Sequence, residues 1–92
     1  MCRSIRPLHN YEPPTTASEV EEAALQYVRK ISGMRKPARA NQEAFDRAVA
    51  AVAHASAALL DELVAYGPPK SRAAEIERAR ERAAARFAAP AA

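Results

Sequence analysis

The feature that most limits how this chain can fold is an uncharged segment inside its longest helical pattern. That pattern runs over residues 41–66, and from Ala48 to Leu60 it contains no Asp, Glu, Lys or Arg. A helix on a protein surface normally carries charged residues on the side that faces water. A helix without them is normally covered on more than one side. We therefore expect other helices, or a second copy of the chain, to cover this one.

The supply of large apolar side chains is small. Alanine accounts for 24 of the 92 residues, and alanine favours helix while burying little apolar area. The length is near the lower end for a domain that folds alone. We expect a single all-α domain over residues 1–92, with three helices at about 17–32, 42–66 and 72–88. Its thin core would gain from a partner surface, so we expect a homodimer.

The first helix has clear start and stop signals. Thr16 and Glu19 form a capping-box pattern. Gly33 is the expected left-handed residue at the C-terminal end. The predicted buried stripe consists of Val20, Ala24, Tyr27, Val28 and Ile31, and Leu25 lies off that stripe.

The central helix should begin after Asn41 as its N-cap and end at Tyr66, before Gly67 and two prolines. Its predicted core stripe is Phe45, Val49, Val52, Ser56, Leu59 and Leu63.

The last helix can be capped by Ser71. A narrow apolar stripe follows at Ile76, Ala79, Ala83 and Phe87.

The two ends of the chain should not be helical. Three prolines make residues 1–15 an extended or irregular arm, and residues 89–92 should fray. Ile5, Leu8 and Tyr11 are the residues expected to anchor the arm to the body of the protein.

A basic connector joins the first two predicted helices. Between Glu22 and Glu43 there are five cationic residues and no acid. They lie next to the N-terminus of the central helix, where backbone N–H groups and the helix dipole favour an anion. A solvated basic loop is the alternative. The five candidate anion-binding residues are Arg29, Lys30, Arg35, Lys36 and Arg39.

A row of arginines on the last helix is the second candidate. Arg78, Arg82 and Arg86 recur every four residues along one edge, which suggests an anionic partner, although nearby glutamates offset part of the charge. An ordinary exposed helix edge is the alternative. If both basic regions faced one side of a dimer, they would form a surface for a nucleic-acid backbone.

The N-terminus offers different chemistry. Removal of Met1 would leave Cys2 with a free amine, and the resulting 1,2-aminothiol can chelate a soft metal or oxidise. His9 could supply a second metal ligand. An ordinary packed cysteine is the alternative.

No catalytic constellation is visible, so an enzyme is not expected. His54 lies opposite the predicted core stripe and has no partner that would make it a catalytic base. The single cysteine fits a reducing compartment. With no apolar run before residue 18 and none long enough to span a membrane, we expect a cytoplasmic location without membrane partners.

Several local patterns together resemble a known family. The chain opens Met1-Cys2-Arg3-x-Ile5, and the other features extend over nearly its whole length: Glu12-Pro13-Pro14, Ala24-Leu25-Gln26, Val28 to Gly33, Pro37, Ala40-Asn41, Phe45, Arg47-Ala48-Val49, Leu59-Leu60, Pro68-Pro69 and a basic last helix ending near Phe87. These features are similar to a small family of uncharacterised bacterial proteins, a domain of unknown function. Tyr11 departs from the family pattern, which has phenylalanine there. The resemblance implies a bacterial source and transfers no catalytic residue and no cofactor.

Three functional hypotheses follow from the sequence. The leading one is a non-enzymatic helical dimer that binds a nucleic-acid backbone through the basic connector and the arginine row. The second is a metal-binding or thiol-redox protein that uses Cys2 and His9. The third is a structural subunit of a larger assembly, docked through the uncharged middle of the central helix.

Overall fold

The computed structural model describes residues 5–88, and it confirms the mostly helical fold. The helices are α1 (Ala17–Ser32), α2 (Arg39–Glu62) and α3 (Arg72–Ala88). Two strands of two residues each, β1 (Tyr11–Glu12) and β2 (Lys70–Ser71), were not predicted. No helix in this part of the chain has both the length and the apolar character needed to cross a bilayer.

The chain divides into two compact units. The first contains residues 15–64 with the described part of the arm up to His9. The second contains residues 10–14 and the chain from residue 65 onward. The Cys2 end of the arm and the predicted frayed tail at 89–92 lie outside the described residues.

In the first unit, α1 begins and ends as predicted. The Thr16 hydroxyl accepts from the Glu19 N–H (3.2 Å), and the Glu19 carboxylate accepts from the Thr16 N–H (3.1 Å), which completes the capping box. The Glu19 carboxylate also accepts from Arg6 at 3.0 Å. Gly33 ends the helix with φ of 69°, a left-handed conformation that glycine adopts without steric cost.

The predicted bounds of α2 were wrong at both ends. The helix begins at Arg39, with Ala38 in the N-cap position and no side-chain capping bond, so Asn41 is not the cap. Ala38 has the extended backbone of an N-cap, and the helix-favouring residues that follow it extend the helix toward Pro37. At the other end α2 stops at Glu62, because Asp61 and Glu62 place negative charge at the negative end of the helix dipole.

The core of the first unit lies between α1 and α2. Among the described residues, four apolar side chains are buried: Val20, Ala24, Val28 and Phe45. Val49, Val52 and Ser56 are half-buried, in line with the predicted α2 stripe.

Four predicted core positions are exposed instead. Tyr27 is 45% exposed and Ile31 is 66% exposed on α1, while Leu59 and Leu63 are exposed at the end of α2. The exposure at the end of α2 follows from the unequal helix lengths, since the 16-residue α1 cannot cover all of the 24-residue α2. The exposure on α1 follows because a single neighbouring helix covers only one face.

In the second unit, β1 and β2 form a short parallel pair, with Tyr11 opposite Lys70 and Glu12 opposite Ser71. The Lys70 N–H donates to the Asn10 carbonyl at 2.8 Å. The Asn10 side chain donates to the carbonyls of Gly67 (3.2 Å) and Pro68 (3.3 Å). The two predicted arm anchors Leu8 and Tyr11 are half-buried, each in its own unit, whereas Ile5 is 45% exposed.

The last helix is capped as predicted, since the Ser71 hydroxyl accepts from the Ala74 N–H at 3.1 Å. Its predicted apolar stripe is not a core, because Ile76 is 55% exposed and Phe87 is 90% exposed. Among the described residues of the second unit, none is fully buried.

Candidate anion-binding site

The basic connector lies in the first unit, between the last residue of α1 and the first of α2. Arg29 and Lys30 occupy the last turn of α1, where cations are favoured by the dipole. Gly33 then turns the chain, and Arg35 and Lys36 follow in a segment without regular structure.

A shallow groove of about 480 Å³ runs beside the end of α1. It is lined by Gln26, Arg29, Lys30, Gly33 and Arg35. The Arg29 Nε–H donates to the Arg35 carbonyl at 3.0 Å, so this guanidinium both fixes the connector backbone and lines the groove. No carboxylate lines the groove.

The connector cations differ from the other described cations of the first unit, Arg6 and Arg47, in how their charges are balanced. Arg6, Arg47 and Arg78 each pair with a glutamate at 3.0 to 3.2 Å. Within residues 5–88, none of the five connector cations has a carboxylate partner. Lys30, Arg35, Lys36 and Arg39 are all exposed. Their uncompensated charge makes this part of the first unit strongly positive.

The start of α2 adds a second feature that favours the binding of an anion. No side chain accepts from the first N–H groups of the helix, and its first turn contains no acid. The Asn41 N–H donates to the Ala38 carbonyl at 2.8 Å. This leaves the amides of Arg39 and Ala40, next to the basic side chains, at the positive end of the helix dipole.

The arginine row on α3 belongs to the second unit. Arg78 pairs with Glu75 at 3.2 Å, so its charge is offset locally. Arg82 and Arg86 are exposed, and neither has a carboxylate partner in the described part of the chain. This row is a second basic surface, in a different unit from the connector.

The predicted metal pair remains a prediction. Cys2 lies outside the described residues, and His9 is half-buried in the first unit. Between residues 5 and 88 there is no group of three or more His, Cys, Asp and Glu side chains able to hold a metal ion.

His54 is exposed on α2, not buried, and it lies at the side of an apolar groove between α1 and α2. Among the described residues of the first unit, no hydrogen bond or ion pair joins it to a nucleophile or a carboxylate.

Sequence reasoning missed two contributors to the connector site. Gln26 lines the basic groove, and its position three residues before Arg29 is the signal that could have identified it. The uncapped amides of Arg39 and Ala40 were missed because the start of α2 was placed at the wrong residue.

Comparison with known proteins adds a family and no activity. No curated protein and no solved structure matches the chain. A family described as "Uncharacterized conserved protein (DUF2277)" matches residues 1–78, which covers the connector, both helices of the first unit and the start of α3. The chain therefore belongs to the DUF2277 family of uncharacterised conserved proteins.

Proposed function

We propose that this protein binds the phosphate backbone of a nucleic acid through the basic connector, without catalysing a reaction. The observation that carries the proposal is the set of five cations at residues 29–39 that lack carboxylate partners within the described chain. Elsewhere in the first unit, the arginines at 6 and 47 are paired.

A solvated loop could carry the same positive charge, so the proposal also rests on the backbone geometry at the start of α2. The unoccupied amides at the start of α2 supply directional donors for a phosphate oxygen. Side chains at 35, 36 and 39 lie within a few residues of those amides. Exposed cations and free amides at one place match how proteins contact phosphates without reading bases.

The arginine row on α3 is the second part of the proposal. Arg82 and Arg86 could contribute further phosphate contacts, whereas Arg78 would first have to exchange Glu75 for a phosphate. We therefore expect substitution of Arg82 or Arg86 to weaken binding more than substitution of Arg78.

The test is binding of the full chain to a fluorescently labelled DNA duplex and to an RNA of the same length, followed by anisotropy over a range of salt concentrations. Each phosphate contact that releases a counterion adds about 0.9 to the slope of log affinity against log salt for duplex DNA. With three to five connector contacts we expect a slope of about −3 to −4.5.

A matched pair of variants localises the site. The double variant Lys36→Gln/Arg39→Gln should flatten that slope by about 2 units, because two contacts are lost. Arg47→Gln is the control, since Arg47 is exposed but already paired with Glu43 at 3.0 Å, and it should leave the slope nearly unchanged.

Two results would contradict the proposal. One is the absence of binding at low salt. The other is a loss of affinity per removed charge that is the same in the connector double variant and in Arg47→Gln, which would show a response to net charge and not to this site.

A further inference from the structure

The first unit has an apolar groove that its own residues leave open. It lies between α1 and α2 and has a volume of about 680 Å³. From α1 it is lined by apolar residues that include Val20 and Leu25, and from α2 by Val49 and three alanines, Ala50, Ala53 and Ala57. Ala50 and Ala57 are exposed in the single chain.

The packing of the first unit explains why this groove should be covered. Two helices bury only the stripe between them, and here that stripe amounts to four fully buried side chains in the described residues. In a unit this small a single apolar core gives limited stability, and a partner chain that covers more apolar surface would increase it. The alanine face of α2 lets another helix approach closely, because its side chains are small.

We propose that a second copy of this chain covers the groove, with the two α2 helices packed antiparallel about a two-fold axis at Ala50. In such an interface the same surface of both copies must be complementary to itself. Residues equally far before and after Ala50 then lie opposite each other across the axis. This inference concerns the apolar groove and is independent of the proposed function of the connector.

Charge complementarity selects this register. Asp46 and His54 both line the groove and are four residues before and after Ala50. An axis at Ala50 therefore places the Asp46 carboxylate of each copy against His54 of the other, and an imidazole N–H can donate to that carboxylate. An axis at Ala53 would instead place Asp46 opposite the apolar Leu60, where its charge has no partner.

The available area suits a small dimer. The 24 residues of α2 and 16 of α1 give helices of about 36 Å and 24 Å, each about 10 Å wide. Their common face is therefore about 600 Å² in projection. A typical stable interface buries about 800 Å² of accessible surface per partner, which a face of this size with side chains can supply.

The first experiment measures the mass of the full chain in solution by sedimentation equilibrium over a wide concentration range. The unchanged chain should be a dimer. Ala50→Glu should weaken dimerisation at least tenfold, because it places two like charges against each other at the axis. Ala55→Glu is the matched control, since Ala55 is exposed on the opposite side of α2 from Ala50, and this variant should remain a dimer.

A charge exchange tests the pairing itself. Asp46→Arg should weaken the dimer, and Asp46→Arg combined with His54→Asp should restore it. Because Asp46 also accepts from the Gln42 side chain at 2.9 Å, Gln42→Ala serves as the control for losing that local bond and should not change the dimer.

Cysteine cross-linking in a Cys2→Ser background tests whether the two-fold axis of the dimer lies at Ala50. Ala50→Cys should form a disulfide between copies under mild oxidation, and Ala55→Cys should not, since only residues at the axis bring their Cα atoms close enough. A monomeric unchanged chain, equal effects of the two glutamate variants, or cross-linking at residue 55 but not at residue 50 would each overturn the proposal.

Discussion

At the scale of single residues, the ends of α1 are set by side chains that act on their own neighbourhood. Thr16 and Glu19 exchange hydrogen bonds with each other's backbone N–H groups. Gly33 adopts a left-handed conformation with no other group within 4 Å of where a Cβ would be. Both positions can therefore be tested by substitutions that disturb no packing.

Thr16→Ala should destabilise the protein by about 1 kcal/mol, because it removes the acceptor for the Glu19 N–H and leaves that donor without its cap. The measurement is urea unfolding followed by circular dichroism. Ser18→Ala is the control, since Ser18 is an exposed residue in the same first turn. An equal loss of stability in the two variants would show that the capping box contributes nothing.

Gly33→Ala should cost about 1 kcal/mol through backbone strain alone, because alanine in the left-handed region is unfavourable while the surrounding space is open. Gly67→Ala should be neutral or slightly stabilising, since Gly67 also has open space around it and does not have a positive φ. Thermal unfolding of both variants compares them directly, and equal behaviour would contradict this account of Gly33.

These local features are the part of the fold that could be predicted from the sequence. A capping box spans three residues, and a glycine cap depends on one backbone angle. Burial of Tyr27 and Ile31 was predicted wrongly, because a helical stripe shows which face is apolar but not how much of that face a single neighbouring helix covers. The pairing of Tyr11 with Lys70 joins residues that are 59 positions apart, and no local pattern carries that information.

At the scale of elements, the second unit is held together by the arm segment at residues 10–14. The Tyr11 ring lies 5.5 Å from Lys70 Nζ and 5.4 Å from Arg72 Cζ, which are cation–π distances. The Arg72 Nε–H also donates to the Pro13 carbonyl at 2.8 Å. The ring, and not its hydroxyl, makes these cation contacts.

Tyr11→Phe should therefore leave the β1–β2 pair intact, whereas Tyr11→Ala should weaken it. The readout is amide hydrogen exchange at Lys70, whose N–H donates to the Asn10 carbonyl. We expect exchange at Lys70 to be unchanged in the phenylalanine variant and at least several-fold faster in the alanine variant, since each cation–π contact at an exposed site contributes about 0.5–1 kcal/mol. Equal protection in all three proteins would show that the ring does not stabilise the pair.

The start of α2 combines a structural weakness with the proposed function. Ala38 has the backbone of an N-cap but no side chain to act as one. Ala38→Asp should stabilise the fold by about 1 kcal/mol, through capping and the helix dipole. The same substitution should weaken nucleic-acid binding, because it places a negative charge among the connector cations.

Ala38→Ser separates the two effects of that substitution. Serine caps the helix without adding charge, so it should stabilise the fold with a smaller loss of binding. Urea unfolding and anisotropy on the same samples give both quantities. Unchanged binding in the aspartate variant would contradict the location of the site, whatever happened to stability.

At the scale of the whole molecule, charge is distributed unevenly along the chain. The connector has five cations and no acid between residues 22 and 43, while α2 beyond Ala48 has no charge until Asp61. The first region is suited to an anion, and the second to another apolar surface. The sequence predicted both regions, but it could not predict the uncapped amides at Arg39 or the groove lined by Leu25 and Ala50, because both depend on where α2 begins and how it packs.

The measurement that most directly tests the proposed function is a two-dimensional ¹H–¹⁵N NMR titration of the full chain with a short DNA duplex at low salt. We predict that the largest shift changes occur at the amides of residues 29–40, above all at Arg39 and Ala40, and that they reverse as salt is added. Shift changes confined to α3, or the absence of changes in the connector while the duplex is bound, would contradict the account.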